Sequence, residues 1–308
     1  MQPTRGAVFV PYQVRAQSEV RHHFTVDVEE AFQVSAFEPY VERSRWDGLP
    51  SRVERNVDVL LELLNVSQST GTFFTLGWIA RRHPNLVRRI AEQGHEIASH
   101  GWWHRRVHRL TPTDFRQDVR ESKALLEDLC GKKVEGFRAP SFSIVPGCEW
   151  AFDVLLDEGY RYDSSIFPVR RRGSGYPGTP RVPFLIQRPS GHLLELPLAT
   201  ARFPGFSVPA AGGGYLRQLP FVFIHRAFSQ FTARGIPGMF YVHPWELDPD
   251  QPRIPTSLFT RLRHYRGLRT VKSRLERLLT EFRFTSVADS PHLTPRDDAQ
   301  LIAAGAQA

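Results

Sequence analysis

The stretch Arg21-His-His-Phe-Thr-Val-Asp-Val-Glu-Glu30 decides the fold, because it joins an apolar run directly to a cluster of carboxylates. Residues 21–28 are typical of a buried strand, which places Asp27, Glu29 and Glu30 at or just beyond its carboxyl end. Alternate residues of a strand point to opposite faces, so Asp27 and Glu29 should share one face and Glu30 should point away from it. The simpler alternative is a solvated strand end, where acidic residues are also common.

Four other polar residues also follow short apolar segments, namely His100, Arg138, Asp163 and His243. The carboxyl ends of parallel strands meet at one rim, and α/β enzymes hold their chemistry there. Predicted strands and helices alternate through the first half of the chain, which indicates a parallel, right-handed α/β arrangement. The pattern alone does not say whether the sheet closes into a barrel.

The predicted elements of this first half have clear sequence signals. We expect strands over residues 71–76, 95–99 and 134–137, and helices starting near Ser51, Pro84, Thr111 and Trp150. The Ser51-Arg-Val-Glu54 sequence resembles a capping box.

The composition changes to glycine, proline and arginine from Pro168 to Pro220, where the only strand candidate is residues 193–198. A strand over 239–242 and a basic amphipathic helix on Leu268, Val271 and Leu275 follow it. We therefore expect a flexible tail over 1–19, a main domain over 20–290 with an inserted segment 168–238 and a C-terminal extension 247–290, and a second flexible tail over 291–308.

Bulk composition limits the protein classes that this chain can represent. It has 308 residues, 41% of them hydrophobic, which is enough for a sizeable core. The two cysteines form no CxxC pair, so neither a disulfide framework nor a cysteine metal site is predicted. No apolar run approaches the roughly 18 residues of a membrane span, and the N-terminus lacks a secretory signal pattern. These features favour a cytoplasmic protein, with peripheral membrane association left open.

The chain carries a formal net charge of +8 at pH 7. The cations are scattered, apart from Arg170-Arg-Arg172 and the 261–283 segment, and no aromatic-interleaved nucleic-acid motif accompanies them. We therefore expect no nucleic-acid partner. If the charge has a functional partner, an anionic glycan or its lipid-diphosphate carrier is favoured; an arginine-rich proteome is the simpler explanation.

His100 and His104 have a spacing that allows both imidazoles to face one divalent ion. Catalytic sites of this kind usually take three protein ligands, and Asp27 or Glu29 can supply a carboxylate as the third. The other carboxylate could then remove a proton from water. Zinc is the favoured ion, with cobalt or another divalent metal as the alternative.

Five ordered segments of the chain resemble the motifs of the polysaccharide deacetylases, also called the NodB homology domain or carbohydrate esterase family 4. They are Phe24-Thr-Val-Asp-Val-Glu-Glu30, Ser99-His-Gly-Trp-Trp-His104, Arg138-Ala-Pro-Ser-Phe142, Asp163-Ser-Ser165 and Tyr241-Val-His-Pro-Trp-Glu246. The first motif, the Gly212-Gly-Gly-Tyr215 and His243-to-Pro249 segments and Arg263-His-Tyr265 are similar to the subgroup found with exopolysaccharide and PEP-CTERM/exosortase gene clusters.

The resemblance implies a distorted (β/α) barrel of the NodB type, with an insertion and a C-terminal extension. It also implies hydrolysis of the acetamide on an N-acetylated glycan, which is the expected partner of the protein. By the family pattern, Asp27 is the general base, His100 and His104 bind the metal, Arg138 orients Asp27, Asp163 tunes His243, and His243 is the general acid.

This chain departs from the family pattern in its first motif. Most members have a second aspartate that binds the metal where this chain has Val28, which cannot coordinate. The strand-face argument makes Glu29 the substitute ligand, while Asp27 with the two histidines remains the alternative. We also expect Ser141, Phe142, Trp103 and Trp245 to contact substrate, with a backbone N–H near Ser141 stabilising the oxyanion.

Two other functions remain open for the same fold. Loss of the metal through Val28 would leave a catalytically silent carbohydrate-binding or scaffolding protein. The barrel could also hydrolyse a different non-peptide C–N bond, since one fold supports several chemistries.

Overall fold

The computed structural model describes residues 7–15, 17, 19–169, 173–204 and 206–293. The strands are β1 (Val8–Pro11), β2 (Arg21–Val28), β3 (Thr72–Thr75), β4 (Glu96–Ser99), β5 (Gly136–Phe137), β6 (Tyr162–Asp163), β7 (Phe184–Arg188), β8 (Gly191–Glu195), β9 (Thr200–Phe203), β10 (Phe206–Pro209), β11 (Met239–Val242) and β12 (Arg283–Thr285). The α-helices are α1 (Val53–Val66), α2 (Gly77–Arg82), α3 (Pro84–Glu92), α4 (Pro112–Cys130), α5 (Trp150–Asp157), α6 (Gly213–Gln218), α7 (Phe221–Ala233), α8 (Leu258–Tyr265) and α9 (Val271–Glu281).

The central strand is β2, whose last seven residues are all buried. It pairs in parallel with β3 on one side and with β11 on the other, and β3, β4, β5, β6 and β8 continue the sheet in parallel. A strand buried on both faces needs a nearly continuous run of buried side chains, as β2 has. The predicted α/β class and parallel arrangement are confirmed.

The sheet closes on itself through a short bridge beyond β8. Leu198 pairs in parallel with Met239 of β11, and the amide of Ala199 donates to the carbonyl of Met239 at 3.1 Å. The closure depends on this narrow seam rather than on a full strand ladder, so the barrel is distorted. The carboxyl ends of its parallel strands consequently face a common rim.

Two antiparallel strands extend the sheet beyond the barrel. β7 and β8 form a hairpin, and β1 pairs with β7 from Val8 to Pro11. The expectation of a flexible tail over residues 1–19 was therefore wrong for this segment, because these four residues are held by a strand ladder. Residues 1–6 and 294–308, including most of the expected C-terminal tail, lie outside the described residues.

Glu30, rather than Ser51, caps the first long helix. Its Oε1 atom accepts hydrogen bonds from the amides of Arg52 and Val53 at 2.8 and 3.0 Å, and the Ser51 hydroxyl donates to the same oxygen at 2.6 Å. A carboxylate satisfies free amides at a helix N-terminus and opposes the positive end of the helix dipole. The expected capping box at Ser51 was wrong, but Glu30 does point away from the face shared by Asp27 and Glu29.

The segment predicted as an insertion, 168–238, is richer in structure than its composition indicated. Besides β7 and β8, it contains the antiparallel β9–β10 hairpin and helices α6 and α7. The Arg170–Arg172 cluster lies outside the described residues. Among the residues that are described, no helix is both long and apolar enough to cross a bilayer.

Candidate active site

The side chains that follow the parallel strands meet in one cavity of about 480 Å³ at the rim of the barrel. Its wall includes Asp27 of β2 and Glu29 just after it, His100 and His104 from the loop after β4, and His243 after β11. The residues that follow these strands therefore do come together at one rim, as the sequence predicted. Arg138, after β5, lies behind Asp27 and is fully buried.

Glu29, His100 and His104 bring their potential ligand atoms within 4.8 Å of one another, and all three residues are buried. Glu29 Oε2 lies 2.7 Å from His104 Nε2. The two atoms are close, but their angles do not make a hydrogen bond, and Oε2 has no other hydrogen-bond partner among the described residues. His100 Nδ1 donates to the carbonyl of Arg138 at 2.7 Å, which leaves its Nε2 available. This arrangement fits a divalent metal, because two imidazole nitrogens and a carboxylate face one point and one ring is fixed from behind.

The protonation states of Glu29 and His100 also suit metal ligands. Burial alone raises the pKa of Glu29, but nearby His104, His243 and His100 outweigh it and lower the pKa to about 2. Burial lowers the pKa of His100 to about 4, although Asp27 opposes part of this effect. Near neutral pH, Glu29 is therefore ionised and His100 is neutral, which are the forms that bind metals.

The side chains of Val28 and Glu29 point in different directions at the end of β2. Val28 is fully buried, on the face of β2 opposite Asp27 and Glu29. Glu29 is held from its other oxygen, since the indole Nε1 of Trp245 donates to Oε1 at 3.2 Å. Glu29, and not Val28, therefore presents its side chain to the cavity.

Asp27 is bonded to a buried arginine. Arg138 Nη1 donates to Asp27 Oδ1 at 2.6 Å and to Thr25 Oγ1 at 2.8 Å, while its Nη2 donates to Ser164 Oγ at 2.9 Å. The guanidinium carbon also lies 4.1 Å from the ring centroid of Phe74. Arg138 therefore fixes the direction of the Asp27 carboxylate and compensates its charge.

The carboxylate that contacts the His243 ring at Nδ1 is Glu246, at 3.0 Å. Glu246 is fully buried and its other oxygen accepts from Arg217 Nε at 2.9 Å. Burial alone lowers the pKa of His243, but Glu29, Glu246 and Asp27 outweigh it and raise the pKa to about 9. His243 is thus held in its charged form, with Nε2 lying 3.6 Å from Glu29 and 3.9 Å from Asp27.

The expected partnership between Asp163 and His243 was therefore wrong. In the described part of the chain, Asp163 lies against Ser165 and Glu195, with the Ser165 hydroxyl donating to its Oδ1 at 2.5 Å. Burial raises the pKa of Asp163 to about 6, and burial together with Asp163 raises the pKa of Glu195 well above its ordinary value. Two adjacent buried carboxylates cannot both ionise easily, so this pair retains a proton.

The four residues expected at the substrate are not all in the cavity. Ser141, Phe142 and Trp245 line it, whereas Trp103 lies outside its lining, near Trp46 and Trp102 and the guanidinium of Arg81. Ser141 and Phe142 have φ angles of 58° and 54°, an uncommon backbone conformation that turns this loop into the site.

Sequence reasoning missed the carboxylate and cation that support His243. Glu246 follows His243 by three residues, and this spacing on a tight turn was the available signal, since the two side chains meet across one turn of 3-10 helix. Arg217 gave no comparable signal, because it reaches Glu246 from α6 in the segment predicted as an insertion. Gly213 leaves room for this contact, as a Cβ atom there would collide with the Glu246 carboxylate.

Two sequence families match the chain. The family described as polysaccharide deacetylase matches residues 45–146, which include His100 and His104. A family described as a domain of unknown function, DUF3473, matches residues 164–291, which include Arg217, His243 and Glu246. The second match is consistent with the exopolysaccharide subgroup that the motifs resemble.

Several curated proteins are similar to part of the chain. A peptidoglycan-N-acetylglucosamine deacetylase of Bacillus cereus is 27% identical over 146 residues, which are 44% of this chain and 52% of that protein. A chitooligosaccharide deacetylase of Sinorhizobium fredii is 32% identical over 97 residues, or 31% of this chain and 42% of that protein. The chain thus matches about half the length of these curated relatives.

One solved structure supports the fold across nearly the whole chain. It is described as a putative polysaccharide deacetylase from Mycobacterium smegmatis, with a TM-score of 0.60, 18% identity, and coverage of 94% of this chain and 99% of that one. This likeness supports a distorted α/β barrel as the fold of the chain. Residues 45–146 are thus similar to the polysaccharide deacetylases, with NodB-type relatives among the curated proteins, as the motifs predicted.

Proposed function

We propose that this protein is a metal-dependent hydrolase that removes N-acetyl groups from an N-acetylated polysaccharide or glycan intermediate in exopolysaccharide biosynthesis. The observation that carries the proposal is the cluster of Glu29, His100 and His104 in the same cavity as Asp27 and His243. The names of the similar Bacillus and Sinorhizobium proteins support an N-acetylated glycan as substrate.

Glu29, His100 and His104 would hold the divalent ion, with zinc favoured by a donor set of two imidazoles and one carboxylate. When bound, such an ion polarises a carbonyl oxygen and makes water a stronger acid.

Asp27 is the proposed general base. Arg138 holds one of its oxygens at 2.6 Å, so the other, Oδ2, remains directed toward the cavity and His243. In this role Asp27 takes a proton from the attacking water, and the arginine keeps the carboxylate in one orientation during that transfer.

His243 is the proposed general acid. An amine leaves an amide poorly unless its nitrogen is protonated, and the contacts to Glu246 and Glu29 hold the imidazole in its charged form. Nδ1 is engaged by Glu246, so the proton at Nε2 is the one available to the leaving nitrogen. We propose that the backbone at Ser141, on the cavity wall, supplies the N–H for the oxyanion.

Acetate release from N-acetylglucosamine oligomers and from the host exopolysaccharide tests this function, together with the metal content of the purified protein. We expect one equivalent of zinc in wild type, loss of turnover with retained metal in Asp27→Asn, and loss of both in Glu29→Gln. Glu62→Gln, an exposed carboxylate on α1, is the matched control and should leave metal and turnover unchanged.

The proposal fails if wild type contains no stoichiometric ion and added zinc or cobalt neither binds nor produces acetate release. A catalytically silent glycan-binding protein would then be the better description. Retained zinc in Glu29→Gln together with zinc loss in Asp27→Asn would instead assign Asp27 as the carboxylate ligand.

A further inference from the structure

Helix α8 exposes an apolar face beside the mouth of the cavity. Leu258, Phe259 and Leu262 are 68%, 75% and 57% exposed, although each is a large hydrophobic residue. Positions three and four apart are neighbours on a helix surface, so Leu262 lies beside both Phe259 and Leu258, and the three side chains form a single surface. Tyr40, 44% exposed, lies next to Ser257 at the start of the same helix.

The chain around this apolar face carries only positive charge. Residues 251–275 contain no aspartate or glutamate, and their cations are Arg253, Arg261, Arg263, Arg266, Arg269, Lys272 and Arg274. Arg261, Arg266, Arg269 and Lys272 are exposed. An apolar helix face with a basic border is the pattern of a helix that lies in the interface of an anionic membrane.

We propose that α8 docks this protein onto an anionic lipid bilayer through Leu258, Phe259 and Leu262, with the surrounding arginines at the headgroups. A soluble polyanion would use the arginines but would leave the three apolar side chains in water. A second copy of the chain could cover the apolar face, but the two basic borders would then repel each other. A bilayer satisfies both parts of the surface.

Docking in this way would bring the cavity to the lipid surface. Phe259, Thr260 and Arg263 of α8 also line the cavity that contains Asp27 and His243. A glycan held at the membrane by an anionic lipid would therefore reach the site without leaving the surface. The docking itself depends only on the exterior of α8 and is independent of the proposed deacetylase activity.

Co-sedimentation of the full chain with lipid vesicles tests the proposal. We expect binding to phosphatidylcholine vesicles that contain about 30 mol% phosphatidylglycerol, and weak binding to phosphatidylcholine alone. Binding should weaken about tenfold or more when salt is raised from about 50 mM to about 500 mM.

Two pairs of substitutions separate the apolar and the charged contributions. Leu258→Ser/Leu262→Ser should lower partitioning about tenfold or more, because two large apolar side chains no longer enter the bilayer. Val8→Ser/Val66→Ser removes two other exposed apolar residues, 56% and 77% exposed, from β1 and α1 and should change partitioning less than about twofold. Neither leucine lines the cavity, so acetate release from a soluble oligomer should be unchanged.

Arg261→Gln/Arg266→Gln should lower partitioning by about tenfold at low salt, since each cation near an anionic surface contributes to binding. Lys132→Gln/Lys133→Gln, which removes two exposed charges after α4, is the matched control. Asp27→Asn should bind vesicles as wild type does, so failure of docking and failure of the active site give different results.

Three results would overturn the proposal. One is absence of binding to anionic vesicles at low salt. Another is binding that the double serine variant retains in full, which would indicate a purely electrostatic surface such as one for a soluble polyanion. The third is a concentration-dependent dimer in wild type that the same variant abolishes, which would assign the apolar face to a second copy.

Discussion

Replacing Arg138 with methionine should destabilise the folded protein by removing the charge that compensates Asp27. The arginine side chain is fully buried and Asp27 is 2% exposed, so water cannot take over the lost contact. Breaking a buried ion pair by removing one partner costs about 3–5 kcal/mol, because the remaining charge stays desolvated. We therefore expect Arg138→Met to lower the free energy of unfolding by that amount.

The double variant Arg138→Met/Asp27→Asn should recover part of this loss. It has no buried carboxylate left to compensate, so its destabilisation should be smaller than the sum of the two single variants by about 2 kcal/mol. Urea unfolding in the presence of a chelator measures all four proteins without a contribution from bound metal.

Arg188→Met is the matched control. Arg188 is also buried and bonded to a carboxylate, at 2.6 and 2.8 Å, but its partner Asp153 is 34% exposed and can regain water. We expect Arg188→Met to lower the free energy of unfolding less than Arg138→Met does. The effects of Arg188→Met and Asp153→Asn on the free energy of unfolding should be nearly additive. Additivity within about 0.5 kcal/mol between Arg138→Met and Asp27→Asn would refute the reasoning that Arg138 acts by compensating Asp27.

The other predictions concern the support of His243 and the buried histidines of β2. Glu246→Gln should lower kcat about tenfold or more with a smaller change in KM, because the imidazole loses the charge that orients it; an unchanged kcat in steady-state assays would contradict this role. Gly213→Ala should lower kcat in the same way by displacing the Glu246 carboxylate, whereas Gly214→Ala, which has open space around it, should not. Burial lowers the pKa of His22 to about 3, with a smaller effect from His292, so the folded state binds fewer protons than the unfolded one and stability should fall as pH drops below about 6.5. His23, whose pKa burial also lowers to about 3, adds to the same effect, and each of the two histidines contributes up to about 1.4 kcal/mol per pH unit. Urea unfolding between about pH 7.5 and about pH 5 measures the total, and His22→Gln should remove the share of one histidine.

The sequence was most informative where local pattern and tertiary position coincide. β2 was predicted with the bounds that the structure has, because a continuous apolar run leaves few alternatives to a buried parallel strand. The period of two along a strand then placed Asp27 and Glu29 on one face and Glu30 on the other. The approach of His100 and His104 to Glu29 followed from the strand order, since the carboxyl ends of parallel strands share a rim.

The sequence was less informative where a residue depends on a distant partner. Nothing near Arg217 indicates that it reaches Glu246, because 28 residues separate them and the contact depends on the packing of α6. Strand β1 escaped prediction since four residues at a sheet edge carry little periodicity, and its order comes from pairing with β7. The N-terminus of α1 was assigned to Ser51 because its local spacing resembles a cap, but Glu30 competes for the same amides from another part of the chain.

The stacking of Trp245 links the outer helix to the proposed acid. Its indole lies nearly parallel to His243 on one side, at 5.0 Å between ring centroids, and to His264 of α8 on the other, at 4.2 Å. Because the same indole also donates to Glu29, any swing of α8 would disturb both the acid and the ligand cluster. Helix α8 is therefore held as a fixed part of the cavity wall, so a change in its packing should be felt at His243 and Glu29 together.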